Sequence, residues 1–264
     1  AHMDTIETGS ITPILRDGVF TSDGTTILGA DDKSAIAILI EALTVLKENR
    51  ISHGPLELVF TICEEIGLVG AKHLDTTLLA STVGYALDTT GTDGIITRAP
   101  AANRLTFKIH GKDAHAGIVP ENGINAISLA GKAIADLAMG RMDDETTCNI
   151  GMIQGGVGTN IVPDLVTVEG EVRSHSSDKL DRLTATIVSS FQSVVENYPA
   201  SAHHSALPTL ETVVDKDFPL THIPDSHPVI LLAQQAAGNL GRTLLPIRSG
   251  GGADANIFFD KGII

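Results

Sequence analysis

The sequence predicts an α/β protein into which a smaller α+β domain is inserted. Three observations carry that prediction. Up to about residue 97, apolar strand-like runs alternate with a helix-length amphipathic segment, as a sheet flanked by helices requires. From 98 to about 207 the pattern changes to alternating strands around two helices, the order of a ferredoxin-like sandwich with an antiparallel sheet. From 208 to 264 the helix-and-strand pattern of the first part resumes. The expected organisation is therefore a first domain in two parts, 1–97 and 208–264, around an inserted domain at 98–207.

Segment 25–30 (TTILGA) reads as a short strand or turn. From about Asp31 to Asn49, the residues Ile36, Leu39, Ile40, Leu43 and Leu46 recur at helical spacing, which puts Asp31 and Asp32 at a helix N-terminus. Residues Leu56–Ile62 run through Leu, Val, Phe and Ile as a buried parallel strand does, and they deliver Glu64 and Glu65 at its C-terminal end. The apolar segment Val83–Leu87 delivers Asp88 in the same way. Ligands of open α/β sheets gather outside the carboxyl ends of strands, so these acidic groups converge on one edge.

In the inserted part, 104–110, 147–154 and 165–173 alternate as half-exposed strands, while 124–138 and 177–196 read as helices. The stretch Tyr198–Pro208 (YPASAHHSALP) reads as the return linker. A helix over His227–Leu240, a strand over Leu244–Ile247, the loop SGGGAD and the start of a further helix follow. His2 stands at a strand end with no strand before it, and the glycine loop leads into only a short tail, so a chain trimmed at both ends is expected.

Composition narrows the function. Lys and Arg number 18 against 32 Asp and Glu, and the net charge of −14 would repel a nucleic-acid backbone. No apolar run approaches the length of a membrane span, and no basic start leads into one. Cys63 and Cys148 are far apart, outside any C-x-x-C spacing, which fits a reducing cytoplasm and excludes a thiolate zinc site.

The candidate chemistry lies in His2-Met3-Asp4-Thr5, Asp31-Asp32, Glu64-Glu65 and Asp88. Each has an ordinary reading: a cloning remnant, a helix cap worth about 0.5–2 kcal/mol, a solvated turn, a common strand end. Together they supply the imidazole and carboxylates of a two-metal hydrolytic site with one carboxylate to spare as a base. Adjacent carboxylates closing a buried strand are also costly unless cations offset them.

In order and phrasing these motifs, with LGADDK at 28–33, GKDAHAG at 111–117 and GGVGTN at 155–160, resemble the co-catalytic di-zinc exopeptidase family. That family includes tripeptide aminopeptidase (peptidase T), carboxypeptidase G, aminoacylase and succinyl-diaminopimelate desuccinylase. DGTTILGADDK and GKDAHAG are most similar to peptidase T. The resemblance implies a mixed-sheet catalytic domain interrupted by a lid and dimerisation domain, two zinc ions with cobalt or manganese as alternatives, and a homodimer formed through the lid. It implies that His2 and Asp88 bind one zinc, Glu65 the other, and that Asp31 bridges them. By the same resemblance Asp4 is expected to orient His2 and Glu64 to be the general base. His115 resembles the family's histidine that reaches the partner subunit's site, Asn160 and Arg173 match its substrate-holding positions, and Gly251 lies in a loop similar to the glycine-rich one the family packs beside substrate. The family's last ligand is a histidine, and none follows His227. The implied activity is removal of the N-terminal residue from short peptides. Deacylation of N-acyl amino acids and a non-catalytic metal- or peptide-binding role are the alternatives.

Overall fold

The structure is a computed structural model, and it describes residues 1–6, 9–199 and 207–264. The chain divides into two compact units, the first made of Ala1–Ala99 with Thr221–Ile264, the second of Pro100–Leu220.

The first unit begins with a hairpin, β1 (Pro13–Arg16) and β2 (Val19–Ser22), then α1 (Ala30–Glu48), the short α2 (Val69–His73) and β3 (Gly94–Ala99). In α1 the residues Ala35, Ile36, Leu39, Leu43 and Leu46 turn inward, while Ile40 of the expected apolar stripe points to solvent. The segment 56–62 does not form the expected strand. Leu56, Leu58, Phe60 and Ile62 are all exposed. A strand is defined by its ladder, and among the described residues this one pairs with the N-terminal stretch only at a parallel bridge between His2 and Thr61. Residues 83–87 likewise form no regular strand. Gly84 donates to the carbonyl of Ile264, whose N–H returns to Thr82.

The second unit carries β4 (Ala101–His110), β5 (Ala114–His115), α3 (Ala126–Ala135), β6 (Gly140–Asp143), β7 (Thr146–Gly155), β8 (Ile161–Val162), β9 (Leu165–Ser174), α4 (Ser177–Glu196) and β10 (Thr209–Phe218). Its main sheet is antiparallel throughout, in the order β10-β4-β9-β7-β6. Alternation along β4 and β9 sends Leu105, Phe107, Ile109, Val166, Val168 and Val172 to the face covered by α3 and α4. There Phe107 stacks on Phe191 of α4, with ring centroids 3.9 Å apart. Asn125 caps α3 by accepting the Ser128 N–H at 2.9 Å, and Asn103 joins sheet to α4 through Thr184 at 3.0 Å.

The strands expected at 104–110, 147–154 and 165–173 and the helix at 124–138 are present with shifted ends, and the helix at 177–196 has the ends expected of it. Four strands of this unit were not expected, the two-residue β5 and β8 and the longer β6 and β10. Residues 200–206 of the expected linker lie outside the described residues, and Thr209–Phe218, expected in the resumed first domain, pairs along β4 at the edge of the second unit's sheet. The boundary therefore falls at Leu220, not 207.

The chain then returns to the first unit with β11 (Thr221–His222), α5 (Pro228–Asn239), β12 (Leu245–Arg248) and α6 (Asp254–Asp260). A mixed three-stranded sheet results, with β3 central, antiparallel to β11 and parallel to β12. Among the described residues no helix is long and apolar enough to cross a membrane.

Candidate metal centre

His2 organises the site. Thr61 donates its N–H to the Ala1 carbonyl at 3.1 Å and accepts from Met3 N at 2.9 Å, so the backbone of His2 is bracketed on both sides. Its own N–H points to Asp32 Oδ2 at 3.3 Å. The ring is 2% exposed. Nδ1 faces the Asp4 carbonyl oxygen at 3.1 Å. That oxygen can only accept, so in the neutral ring Nδ1 carries the proton and Nε2 offers its lone pair. Nε2 faces carboxylates: Asp31 Oδ1 at 3.1 Å, Asp88 Oδ1 at 3.8 Å and Glu64 Oε2 at 4.0 Å.

Asp4 has a second task that its spacing to His2 does not reveal. Its Oδ1 accepts the Glu64 N–H at 3.1 Å and its Oδ2 accepts the Glu65 N–H at 3.2 Å. One carboxylate therefore fixes the turn that carries both glutamates. Asp31 and Asp32 are separated by a cis peptide and are not helical, so the regular part of α1 starts after them. Asp32 is buried against the His2 backbone, whereas Asp31 is largely exposed above Nε2.

Among the described residues, two groups of side chains lie close enough to hold a cation. In His2, Asp31 and Glu65, and again in His2, Asp32 and Asp88, the donor atoms are within 4.8 Å of one another. The donor chemistry, imidazole nitrogen and carboxylate oxygen, suits zinc and related divalent ions. The electrostatics point the same way. Burial, followed by the neighbouring Asp88 carboxylate, pushes Glu64 up to about 7. Burial and then Asp31 push Asp88 up to about 7. Burial also raises Asp32 and Asp254. For His2, burial acts downward, but Asp88, Glu64, Asp31 and Asp4 outweigh it and raise the imidazole. Burial pushes Asp4 up as well, and the N–H groups of Glu64 and Glu65 outweigh that and hold it below the usual carboxylate range. A site that strains to keep its carboxylates ionised is one that a divalent cation relieves.

The remaining sequence-predicted residues divide between the units. Gly251 lies in the first unit, where the Ser249 hydroxyl donates to its carbonyl at 2.9 Å and accepts from its N–H at 3.0 Å. In the second unit β5 pairs with β8, and Ala116 N donates to the Asn160 carbonyl at 2.9 Å, which makes His115 and Asn160 neighbours. Gly117 N–H donates to His115 Nδ1 at 3.2 Å, so the neutral ring bears its proton on the exposed Nε2. Arg173 on β9 contacts Glu171 Oε2 at 2.9 Å, with its guanidinium 5.7 Å over the Phe218 ring. Sequence reasoning named Asp32 without giving it a role, and missed Thr61 and Asp254. Thr61 donates its hydroxyl to Asp254 Oδ2 across 193 positions, and no local spacing signals such a pair.

Comparison with known proteins agrees with this architecture. Residues 1–104 match the family described as M42 glutamyl aminopeptidase, and residues 100–199 match the M20 peptidase dimerisation domain. A Bacillus subtilis protein named "Uncharacterized protein YqjE" is 41% identical over 265 residues, which is 100% of this chain and 69% of that protein. Peptidase T of Salmonella typhimurium is 37% identical over 124 residues, 47% of this chain and 30% of that protein. Among solved structures, aminopeptidase PepT from Bacillus cereus is 42% identical with a TM-score of 0.83. A tripeptidase from Staphylococcus aureus is 39% identical with a TM-score of 0.89. Each of the two covers 100% of this chain, which spans 69% of theirs. A chain that carries the M20 dimerisation domain and shares this identity over its full length with PepT-type enzymes belongs to the M20 peptidase family.

Proposed function

We propose that this chain is the catalytic and dimerising part of a zinc-dependent, peptidase T-like exopeptidase that removes the N-terminal residue from short peptides, tripeptides foremost. The observation that carries the reading is His2 Nε2 facing Asp31, Asp88 and Glu64 from a ring whose other nitrogen is engaged by Asp4. Relatives bearing the names peptidase T, aminopeptidase and tripeptidase support the substrate class.

His2 and Asp88 would hold one ion and Glu65 the other, with Asp31 shared between them; the two groups of donors that lie close enough both draw on His2. When bound, such an ion would supply Lewis acidity to the attacking water and the scissile carbonyl. Glu64 takes a proton from the attacking water and returns it to the departing amine. Asp4 orients His2 and fixes the Glu64–Glu65 turn. His115, with its proton on Nε2, donates to the developing oxyanion of the partner subunit's substrate. Asn160 and Arg173 hold the peptide, Arg173 through its terminal carboxylate, and Gly251 lies beside it. The dimer forms through the second unit, as its match to a peptidase dimerisation domain supports. Two free thiols, Cys63 and Cys148, support a cytoplasmic setting.

The test is a panel of tripeptides, the same tripeptides N-acetylated, and N-acyl amino acids, each with and without a chelator. Chelator-sensitive release of the first residue from free tripeptides alone is expected. Cleavage of N-acyl amino acids instead would make the protein a deacylase, and no cleavage with zinc bound would leave a metal-binding protein.

A further inference from the structure

We infer that Thr61, Asp254 and Lys261 are positioning residues, and that α6 clamps the Glu64–Glu65 turn through them. The inference rests on the reading of that turn as part of the metal centre.

The turn holds itself only in part, through the N–H groups of Gly67 and Leu68 donating to the Glu64 carbonyl at 3.0 and 2.9 Å. Cys63 before it and Leu68 after it have φ of 57° and 58°, in the left-handed region that costs a residue with a side chain roughly 1–2 kcal/mol. Such a conformation persists only where its surroundings over-determine it. Asp4 is one restraint, through both glutamate N–H groups. The start of α2 is another, since Val69 N donates to the Cys63 carbonyl at 3.0 Å and Gly70 N to the Ile62 carbonyl at 3.0 Å. This approach is so close that a Cβ on Gly70 would collide with the Ile62 backbone.

Helix α6 engages the segments on both sides of the turn. At its start, Asp254 accepts the hydroxyl of Thr61, and both residues are buried. Asp254 Oδ1 has no hydrogen-bond partner among the described residues, so the side chain's grip on this region runs through Thr61. At its end, Lys261 Nζ donates to the carbonyls of Ala71, Lys72 and Leu74, each at 2.9 Å, which closes the C-terminus of α2. Thr61 precedes the turn by three positions and brackets His2 with its backbone. Asp254 therefore sets the register of His2 and Glu64 together, and Lys261 fixes the helix on which the turn rests.

The experiment compares the full chain with Thr61→Val, Thr61→Ser, Asp254→Asn and Lys261→Met. It reads amide hydrogen exchange residue by residue without metal, and zinc affinity by competition with a chelating dye. Thr61→Val and Asp254→Asn are expected to accelerate exchange at Glu64 and Glu65 roughly tenfold or more, with little change in the second unit. Zinc affinity should fall about 10- to 100-fold, as for loss of a residue that orients ligands. Thr61→Ser should restore both, because it keeps the hydroxyl, and Lys261→Met should accelerate exchange over 64–74. Unchanged exchange at Glu64 and Glu65 in Thr61→Val and Asp254→Asn would overturn the clamp, as would acceleration spread evenly over the first unit. Absence of zinc binding by the unaltered chain would overturn the metal reading alone, and exchange would still decide the clamp.

Discussion

His2 Nε2 and Asp31 Oδ1 lie 3.1 Å apart, although the two residues come from separate elements and Asp31 is 68% exposed while His2 is buried. An exposed carboxylate held against a buried imidazole contributes little to folding and much to cation binding. Asp31→Asn should therefore shift metal-free stability by no more than about 0.5 kcal/mol, while zinc affinity falls at least about tenfold. Melting without zinc and dye competition with it check the two halves separately.

Acidity should reverse the balance between the metal-free and loaded states. Glu64 and Asp88 have folded values near 7, above the value of about 4 that an unfolded carboxyl shows. The folded, metal-free chain thus binds more protons than the unfolded chain between these limits. Its stability from these two groups is fully present below about pH 4 and is lost as pH rises through about 7. Zinc requires the ionised forms, so its affinity should rise over the same interval and level off above it. Denaturant titrations at pH 5 and 8, with and without zinc, should show opposite trends.

Glu64→Gln keeps the shape of the turn and its hydrogen bonds to Asp4, which are made by the backbone. Zinc content should be unchanged and turnover should fall by about 10²- to 10⁴-fold, the usual contribution of a general base. Single-turnover kinetics on a tripeptide would show it, and near-normal turnover would remove Glu64 from that role.

His115→Ala should impair turnover without altering metal content. Mixing it with Glu64→Gln subunits should restore part of the activity, since one mixed site then has both groups intact. No recovery in mixed dimers would place His115 in the site of its own chain or outside catalysis.

The second unit depends on the stack of Phe107 against Phe191, both fully buried. Phe191→Ala should cost about 3–5 kcal/mol, seen as a lowered urea midpoint for this unit. Retained zinc affinity in folded protein would show that the loss is confined to packing.

The second unit's strands and helices were legible because its sheet has one covered face, so β4 and β9 alternate cleanly and α3 and α4 carry a clear apolar side. β10 was not legible, because an edge strand reading TLETVVDKDF has adjacent valines and scattered charges, with no period of two. The apolar run 56–62 reads as a strand, yet pairing belongs to the neighbour as much as to the segment, and the described partner is only the stretch around His2. At the site, His2, Asp4, Asp31, Glu64, Glu65 and Asp88 could be named from motif order. What joins them could not: the backbone contact of His2 with Asp32, the grip of Asp4 on both glutamates, and the link from Thr61 to Asp254 all connect positions whose local sequence has an ordinary explanation.

The most direct measurement is release of the N-terminal amino acid from a free tripeptide as zinc is titrated into metal-free protein. The account predicts no release without zinc and a rate that grows and saturates as the His2 site fills, with Asp31→Asn requiring more zinc. Filling of the site with no release, or release that ignores zinc, would contradict it.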